Sequence, residues 1–525
     1  MWLLTAFATV SLFSQASGYL SFGSHQGLFE VEKRESSSQN DGTNWSCVSA
    51  CKLLATTRPN NTLGQDSADY INATSEYWTN AQINARPRCF FQPENARDVS
   101  VGLQILRHAS CSFTIKSGGH GKFYGESSIN NGVVVDMVKI NHVTVSRKRD
   151  SVAVGAGNRW GAVYDMLEPL GLTVVGGRAT SVGVGGFLLG GGISYFSNNY
   201  GWGADNIISF EVVIADGSII TASQLSHPDL YRALKGGAAN FGIVTSFNLK
   251  AYPYIGMWGG FRGFLRDNAT VGSQLQEAFM EFGSSSHKDP KAAYLLAVAQ
   301  NEGQWIWGSS LIYTEPVEAA PAFDKVLAVP GALIDTLKIQ NQTNLAFETW
   351  MQYPQRAENT LWTVSTKTDI RLVNFFFNTW VQEMERIQDV KDLRPNAVVQ
   401  FITKRTVQQM SKNGGNALGL GEEPFLMFNA EPSWSKVDDS PKVFSAIQNV
   451  MTKVKDEARR LGQEYDYEYT NYASQYQDPI STYGSAVPFL RGTAANYDPE
   501  GVFQKLRSGG FKLYGGRPER QDPQA

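Results

Sequence analysis

The stretch Lys116-Ser117-Gly118-Gly119-His120-Gly121 follows a strand-like run at 111–116 and ends in a histidine held between glycines. Consecutive glycines permit positive φ and let backbone N–H groups approach a bound group closely, which suits a pyrophosphate cradle. Upstream, after Pro93, the apolar positions Val99, Leu103 and Leu106 recur at helical spacing, so a helix feeds the strand. Downstream, 133–136 and 143–145 are β-branched runs, and Trp160, Val163, Tyr164 and Leu167 repeat at i, i+3, i+4, i+7. Strands and helices therefore alternate around the glycine turn.

Two further glycine clusters lie downstream. Residues 182–192 read Val-Gly-Val-Gly-Gly-Phe-Leu-Leu-Gly-Gly-Gly, preceded by Val174-Val175-Gly176-Gly177. The run contains a G-x-G-x-x-G-like pattern with Asp205 about 20 residues on, as a Rossmann dinucleotide fingerprint asks. The Rossmann reading fails because the glycines continue to Gly192 and no apolar helix of adequate length separates the motif from a second strand. The third cluster, Gly236-Gly237-Ala238-Ala239-Asn240-Phe241-Gly242, runs into Ile243 and Val244. Before it, 212–215 and 218–221 read as strands around an Asp216-Gly217 turn, 230–234 as a short helix and 243–249 as another strand. Three such turns imply a long ligand threaded through backbone; for any one cluster, tight turns and close strand packing would explain the glycines as well.

The 525 residues are 42% hydrophobic and 12% aromatic, enough for a large core and more than one domain. A net charge of -3 without a basic block excludes a nucleic-acid partner. Residues 1–18 are apolar from Trp2 to Phe13, then small and polar, and read as a secretory signal peptide. About 12 apolar residues are too few to cross a bilayer, and no membrane span is expected in the mature chain. Sequons begin at Asn44, Asn60, Asn72, Asn268 and Asn341. The four cysteines, Cys47, Cys51, Cys89 and Cys111, sit in the first quarter of the chain, where an oxidising lumen would form two disulfides. Their spacing, without regularly placed histidines, fits a zinc site poorly, so no metal is expected.

Residues 19–46 are polar and read as a flexible tail, with folded chain beginning near Cys47. Beyond Pro253 glycine clusters give way to tryptophans among alternating apolar runs, which marks a domain boundary. Ser440 and Pro441 start a long amphipathic helix along Val443, Ile447, Val450, Val454, Ala458 and Leu461, and Gly462 stops it.

Ser117-Gly118-Gly119-His120, Val174-Val175-Gly176-Gly177-Arg178, the 182–192 cluster, Trp202-Gly203-Ala204-Asp205-Asn206 and the 236–244 cluster together resemble the FAD-linked oxidases with a PCMH-type (vanillyl-alcohol-oxidase-type) FAD-binding domain. Within these the chain is similar to the berberine-bridge-enzyme-like branch and its fungal oxidoreductases. The resemblance implies an α+β fold: a two-part FAD-binding domain split in sequence, 47–255 (core about 84–254) and 466–525, with a substrate domain of antiparallel sheet and helices inserted at 256–465. FAD is the implied cofactor, attached to His120 through the 8α carbon. Ser117, Gly118, Gly119, Gly121, Gly177, Val182, Gly183, Gly185, Gly186, Gly190, Gly191, Asp205, Asn206, Gly242, Ile243, Val244 and Asn471 would complete its site. Where some members carry a second flavin-linking cysteine this chain has Ala179, so that bond is absent; Phe187 stands where many carry histidine, which makes the pocket more apolar. Tyr469-Thr470-Asn471-Tyr472 resembles the family's Y-x-N-Y segment, so either tyrosine is a candidate base, whereas Tyr124 is set aside. The resemblance pairs Cys51 with Cys111, leaving Cys47 with Cys89, and makes 475–484 a returning strand.

The expected activity is oxidation of a small organic substrate at a CH–OH, CH–NH or CH–CH group by hydride transfer to flavin. Dioxygen is the acceptor and hydrogen peroxide the product, in fungal secondary metabolism, by a monomeric enzyme of the secretory pathway. A secreted carbohydrate oxidase is the alternative within the class. A non-catalytic secreted glycoprotein that keeps the flavin fold is the alternative outside it.

Overall fold

The computed structural model describes residues 45–354 and 356–515. The expected signal peptide 1–18, the tail up to residue 44 and the sequon at Asn44 lie outside the described residues.

Helix Ala96–His108 begins at Asn95, whose side chain accepts from the Arg97 and Asp98 amides, and buries Val99, Leu103 and Leu106. It lies in sequence between strands Cys89–Phe91 and Phe113–Lys116, both of which run parallel to Val133–Asp136. Adding Thr62–Gly64 outside Cys89–Phe91 gives a four-stranded sheet. Val133–Asp136 is buried at every position, as a central parallel strand covered on both faces should be. A second, five-stranded antiparallel sheet is ordered Val143–Val145, Ser151–Gly155, Ile243–Lys250, Ile207–Val213, Ile219–Ser223. Both sheets, helix Trp160–Leu167 and the C-terminal helix Ala486–Tyr497 share one hydrophobic core.

Strand Ile207–Val213 starts five residues before the expected 212–215, because Phe210 and Val212 turn inward with Ile207 while Ile208 and Glu211 face out. The expected returning strand at 475–484 is instead turns and a short helix, Pro479–Tyr483: proline at its first position removes a ladder donor, and Gly484 turns out of it at φ 53°.

The cysteine pairing also differs from expectation. Cys47 is bonded to Cys111 and Cys51 to Cys89. Both leave helix Trp45–Thr57 one turn apart, so its direction decides the partners. The N-terminal half meets the end of helix Ala96–His108, where Ser46 Oγ reaches the Ser110 carbonyl, and the later turn lies over strand Cys89–Phe91. Disulfide mapping of the native protein should recover these two linked peptides. Replacing Cys47 and Cys111 with serine should lower unfolding free energy by about 2–5 kcal/mol, read from denaturant melts.

From Met257 to Ala430 the chain builds an eight-stranded sheet whose main path runs Ile334–Asp335, Met257–Leu265, Gln304–Tyr313, Ala292–Asn301, Asn396–Ile402, Phe425–Ala430, Trp362–Thr366; Lys338–Gln340 also pairs with Met257–Leu265. Every pairing in it is antiparallel. Helices Ala269–Ser285, Ile370–Glu385 and Ser440–Leu461 contribute to a second core against one face. The last has Pro441 in its first turn and Gly462 at φ 67° as its stop, as its sequence signals indicate. Strand Phe425–Ala430 shows how the sheet divides the molecule. Leu426, Phe428 and Ala430 face the helices, while Phe425 and Met427 belong to the first core.

Candidate active site

After strand Phe113–Lys116 the chain turns at Gly118 and Gly119, the latter at φ 74°. A Cβ at Gly118 would lie 2.5 Å from Gly183 Cα, and one at Gly183 would lie 2.2 Å from Gly118 N. The first two glycine clusters thus touch backbone to backbone, at a distance no side chain tolerates. Ser117 fastens them by donating to the Ala156 carbonyl at 2.6 Å and accepting from Gly185 N at 3.1 Å. The Val182 carbonyl accepts from Trp160 N. Helix Val184–Leu189 is six residues long, and Gly190, Gly191 and Gly192 follow it directly. This geometry removes the Rossmann reading, since no crossover to a parallel strand follows. Within that helix Gly186 has open space where a side chain would be.

The third cluster closes on the second: the amides of Gly236 and Ala238 both donate to the Leu189 carbonyl. Gly242 abuts Val212 and the Val213 carbonyl, and Ile243 and Val244 are buried in the five-stranded sheet, so these three pack the scaffold. Gly177 lies against the Trp160 ring. Asp205 accepts from Trp202 N and Asn416 Nδ2, and Asn206 donates to the Tyr200 and Trp202 carbonyls and accepts from Tyr252. Both side chains are committed within the fold, and burial raises the Asp205 carboxyl.

His120 leaves the first turn beside Gly121. Its ring stacks on Trp78 at 4.4 Å and 14°, with Trp350 at 6.1 Å. Nε2 is shielded from solvent and has no hydrogen-bond partner among the described residues. Burial, reinforced by Lys122 and Arg159 and opposed by a backbone hydrogen bond, pushes the imidazole down from 6.5 to about 3. The ring is therefore neutral at ordinary pH with a nitrogen available to a ligand. In flavin-free protein the unfolded chain takes up this proton near pH 6.5 and the folded chain only near 3, so His120 lowers stability progressively as pH falls across that window. A His120→Phe variant should lose less stability than the wild type on acidification, in paired urea melts.

The 469–472 segment closes the far side. Tyr469 is buried and its oxygen accepts from Gly192 N, Ile193 N and Asn471 Nδ2 at 2.8, 3.3 and 3.0 Å. Burial raises it far above the ordinary tyrosine range. Asn471 also donates to the Phe187 carbonyl and fills the space beside Gly190, while Gly191 lies against Trp202 and Tyr469. Tyr472, half-buried, accepts from Arg178 Nη2 at 2.6 Å. Tyr124 accepts from Asn130 N instead.

Sequence reasoning passed over the groups around Arg178. Tyr353 donates to Glu431 at 2.8 Å, and Asn396 donates to the same oxygen at 3.2 Å. Desolvation raises Glu431, with Tyr353 and Arg178 opposing. The Tyr353 ring meets Trp78 edge-on at 6.0 Å, which links this cluster to His120. The one signal in the sequence was a carboxylate, Glu431, close after the apolar run Phe425-Leu426-Met427-Phe428.

A shielded unpartnered imidazole nitrogen, two backbones in contact and an open glycine face fit a flavin nucleotide. Residues 87–223 match the family described as FAD binding domain. Over 491 residues the chain is 34% identical to the FAD-dependent monooxygenase FUP4 of Fusarium proliferatum, covering 89% of this chain and 95% of that protein. It is 35% identical over 476 residues to the FAD-dependent monooxygenase sdcF of Emericella nidulans, covering 88% and 98%. The chain belongs to the fungal FAD-dependent oxidoreductases with a PCMH-type FAD-binding domain. Members of this family are enzymes, and FAD is the cofactor of this one. Its fold is that of the berberine-bridge-enzyme-like protein 1 of Physcomitrella patens (TM-score 0.71, 18% identity, 87% and 98% coverage). It is also that of the glucooligosaccharide oxidase of Acremonium strictum (TM-score 0.72, 17% identity, 90% and 99% coverage), described as having a 6-S-cysteinyl, 8α-N1-histidyl FAD. At the positions the family resemblance singles out, this chain has a buried Ala179 and a half-buried Phe187, whose ring meets Trp160 at 5.2 Å.

Proposed function

We propose that the protein is an oxidase of fungal secondary metabolism that removes a hydride from a small organic substrate, with FAD linked to His120. The observation that carries this is the neutral His120 ring, stacked on Trp78 with a shielded, unpartnered nitrogen beside the Gly118–Gly183 contact. When bound, FAD would supply the hydride acceptor and the route for two electrons to dioxygen.

This chain's residues do the rest. Backbone at Ser117, Gly118, Gly183 and Gly186 holds the nucleotide, with the Gly185 amide fixing the turn through its bond to Ser117 Oγ. Tyr472, held as the phenolate by the Arg178 guanidinium that donates to its oxygen and orients it, takes the proton that leaves with the hydride and becomes the neutral phenol. Tyr469, whose oxygen already holds three donors, braces the 191–193 turn. Trp78, Trp350 and Phe187 exclude water around the ring site.

The named relatives are monooxygenases, which favours a second reading in which dioxygen reaches the product. Peroxide measured against substrate consumed separates the two: one peroxide per turnover supports the oxidase, and labelled oxygen in the product supports the monooxygenase. The first experiment is acid precipitation of the holoprotein. A yellow pellet with an FAD-sized addition on the His120 peptide supports the linkage, and all flavin in the supernatant removes it.

The secretory pathway is the proposed compartment. Supporting it, Asn60, Asn72, Asn268 and Asn341 are all exposed. Asn268 and Asn341 cap helices through Oδ1, which leaves the amide nitrogen for a glycan. No helix among the described residues is long and apolar enough to cross a membrane. Loss of mass on enzymatic deglycosylation is the check.

A further inference from the structure

The plane of the His120 ring is not fixed by the side chain itself. Histidine χ2 is a broad, roughly two-fold torsion, and Nε2 has no hydrogen-bond partner among the described residues. The group lying flat on the ring is Trp78, at 4.4 Å and 14°, whereas Trp350 is tilted by 60° at 6.1 Å. Trp78 is buried, and its amide donates to the Gly119 carbonyl at 3.0 Å. Backbone and indole together therefore grip the turn that carries the imidazole.

Trp78 is held in turn from the half of the chain that builds the eight-stranded sheet. Asn359 Nδ2 donates to the Trp78 carbonyl at 2.8 Å, and Asn359 N donates to Thr79 Oγ1 at 3.0 Å. Asn80 answers in the opposite direction, its amide donating to the Ala357 carbonyl at 2.9 Å and its Nδ2 to the Arg356 carbonyl at 3.1 Å. Both Thr79 and Asn359 are buried. Asn359 lies in strand Glu358–Asn359, paired antiparallel with Ser433–Trp434, and Trp434 belongs to the second, helix-packed core. These bonds clamp residues 78–80 to 356–359 across 280 residues of sequence.

We infer that Trp78 is a positioning residue for the bond between His120 and FAD, and that Asn359 sets Trp78, so that attachment waits on docking of the sheet-bearing half. Joining the imidazole to the 8α carbon breaks one ring N–H bond and one C–H bond of that carbon and forms the C–N bond. The two protons and two electrons released pass to the isoalloxazine and on to dioxygen as peroxide. The nitrogen lone pair lies in the plane of the imidazole, so the step needs that plane fixed, and a misplacement of about 1 Å costs such a step on the order of 10²-fold. This inference rests on the covalent His120 reading.

In the test, full-length chain made in a riboflavin-starved host is mixed with FAD in air, and acid-quenched samples give the rate at which flavin enters the pellet. Trp78→Ala should bind FAD yet attach it on the order of 10²-fold more slowly than wild type. Asn359→Ala should slow attachment about tenfold, as loss of the bond that sets Trp78. Trp78→Phe, which keeps an aromatic face on the ring, should attach within a few-fold of wild type, whereas Trp78→Leu, apolar but unable to stack, should be as slow as Trp78→Ala. If Trp78→Ala does not fold, Trp78→Leu and Asn359→Ala carry the test. Variants that attach their bound FAD at the wild-type rate overturn the positioning role, whether they bind as much of it as wild type or less. Wild type whose flavin all stays in the supernatant overturns the covalent reading instead.

Discussion

Tyr472→Phe should slow flavin reduction by roughly 10²- to 10⁴-fold, the range that a positioned acid or base contributes, while flavin content stays at the wild-type level. The reason is the difference between the two tyrosines of the 469–472 segment. The Tyr469 oxygen is fully engaged by Gly192 N, Ile193 N and Asn471 Nδ2, so its lone pairs serve the 191–193 turn. Among the described residues the Tyr472 oxygen has one hydrogen-bond partner, a guanidinium at 2.6 Å, and the side chain is half-buried. Removing its hydroxyl deletes the proton acceptor and leaves Arg178 without that bond, so thermal melts must accompany the kinetics. Tyr469→Phe should chiefly lower stability. Anaerobic single-turnover reduction of both variants decides the assignment: equal rates in Tyr472→Phe and wild type would remove Tyr472 as the base.

The parts of the fold legible in the sequence are those whose causes are local. Helix Trp160–Leu167 follows from the spacing of Trp160, Val163, Tyr164 and Leu167, and helix Ser440–Leu461 from a proline in its first turn and a glycine at its end. The cysteine pairing was not legible, because it depends on which way helix Trp45–Thr57 lies over the sheet, and spacing alone does not encode a direction. The strand expected at 475–484 failed for a related reason: an apolar-polar mixture with proline satisfies its backbone by turns when Gln477 and not a strand covers the edge at Thr363.

The site divides along the same line. A glycine requirement is a backbone requirement and stands in the sequence, so the Gly118 and Gly183 turns could be found before their contact was seen. Arg178 and Tyr472 are 294 residues apart, and the Tyr353 to Glu431 bond spans 78. No periodicity links such residues, and a single arginine or glutamate has no spacing that announces a partner. Asp205 shows the opposite error, since its distance from the glycines matched a fingerprint while its carboxylate is buried against Trp202 N and Asn416.

His120→Ala should move the flavin from the acid-precipitated pellet to the supernatant without emptying the folded protein of FAD. The nucleotide contacts assigned to Ser117, Gly118, Gly183 and Gly186 are backbone contacts, and the Gly118–Gly183 approach does not involve the imidazole. The substitution therefore removes the attachment atom and the stack on Trp78 while the cradle stays in place. A neutral ring is also what attachment requires, because a protonated imidazole has no free lone pair, and burial keeps His120 neutral down to about 3. Flavin released by acid from native His120→Ala, measured against the yellow wild-type pellet, gives the expected result. A His120→Ala pellet that stays yellow would place the bond on another residue, and the mass of the modified peptide would name it. Variant protein that folds but retains no flavin before acid treatment would instead mean that His120 holds the cofactor in place as well as bonding it, and that the glycine backbones alone bind it too weakly.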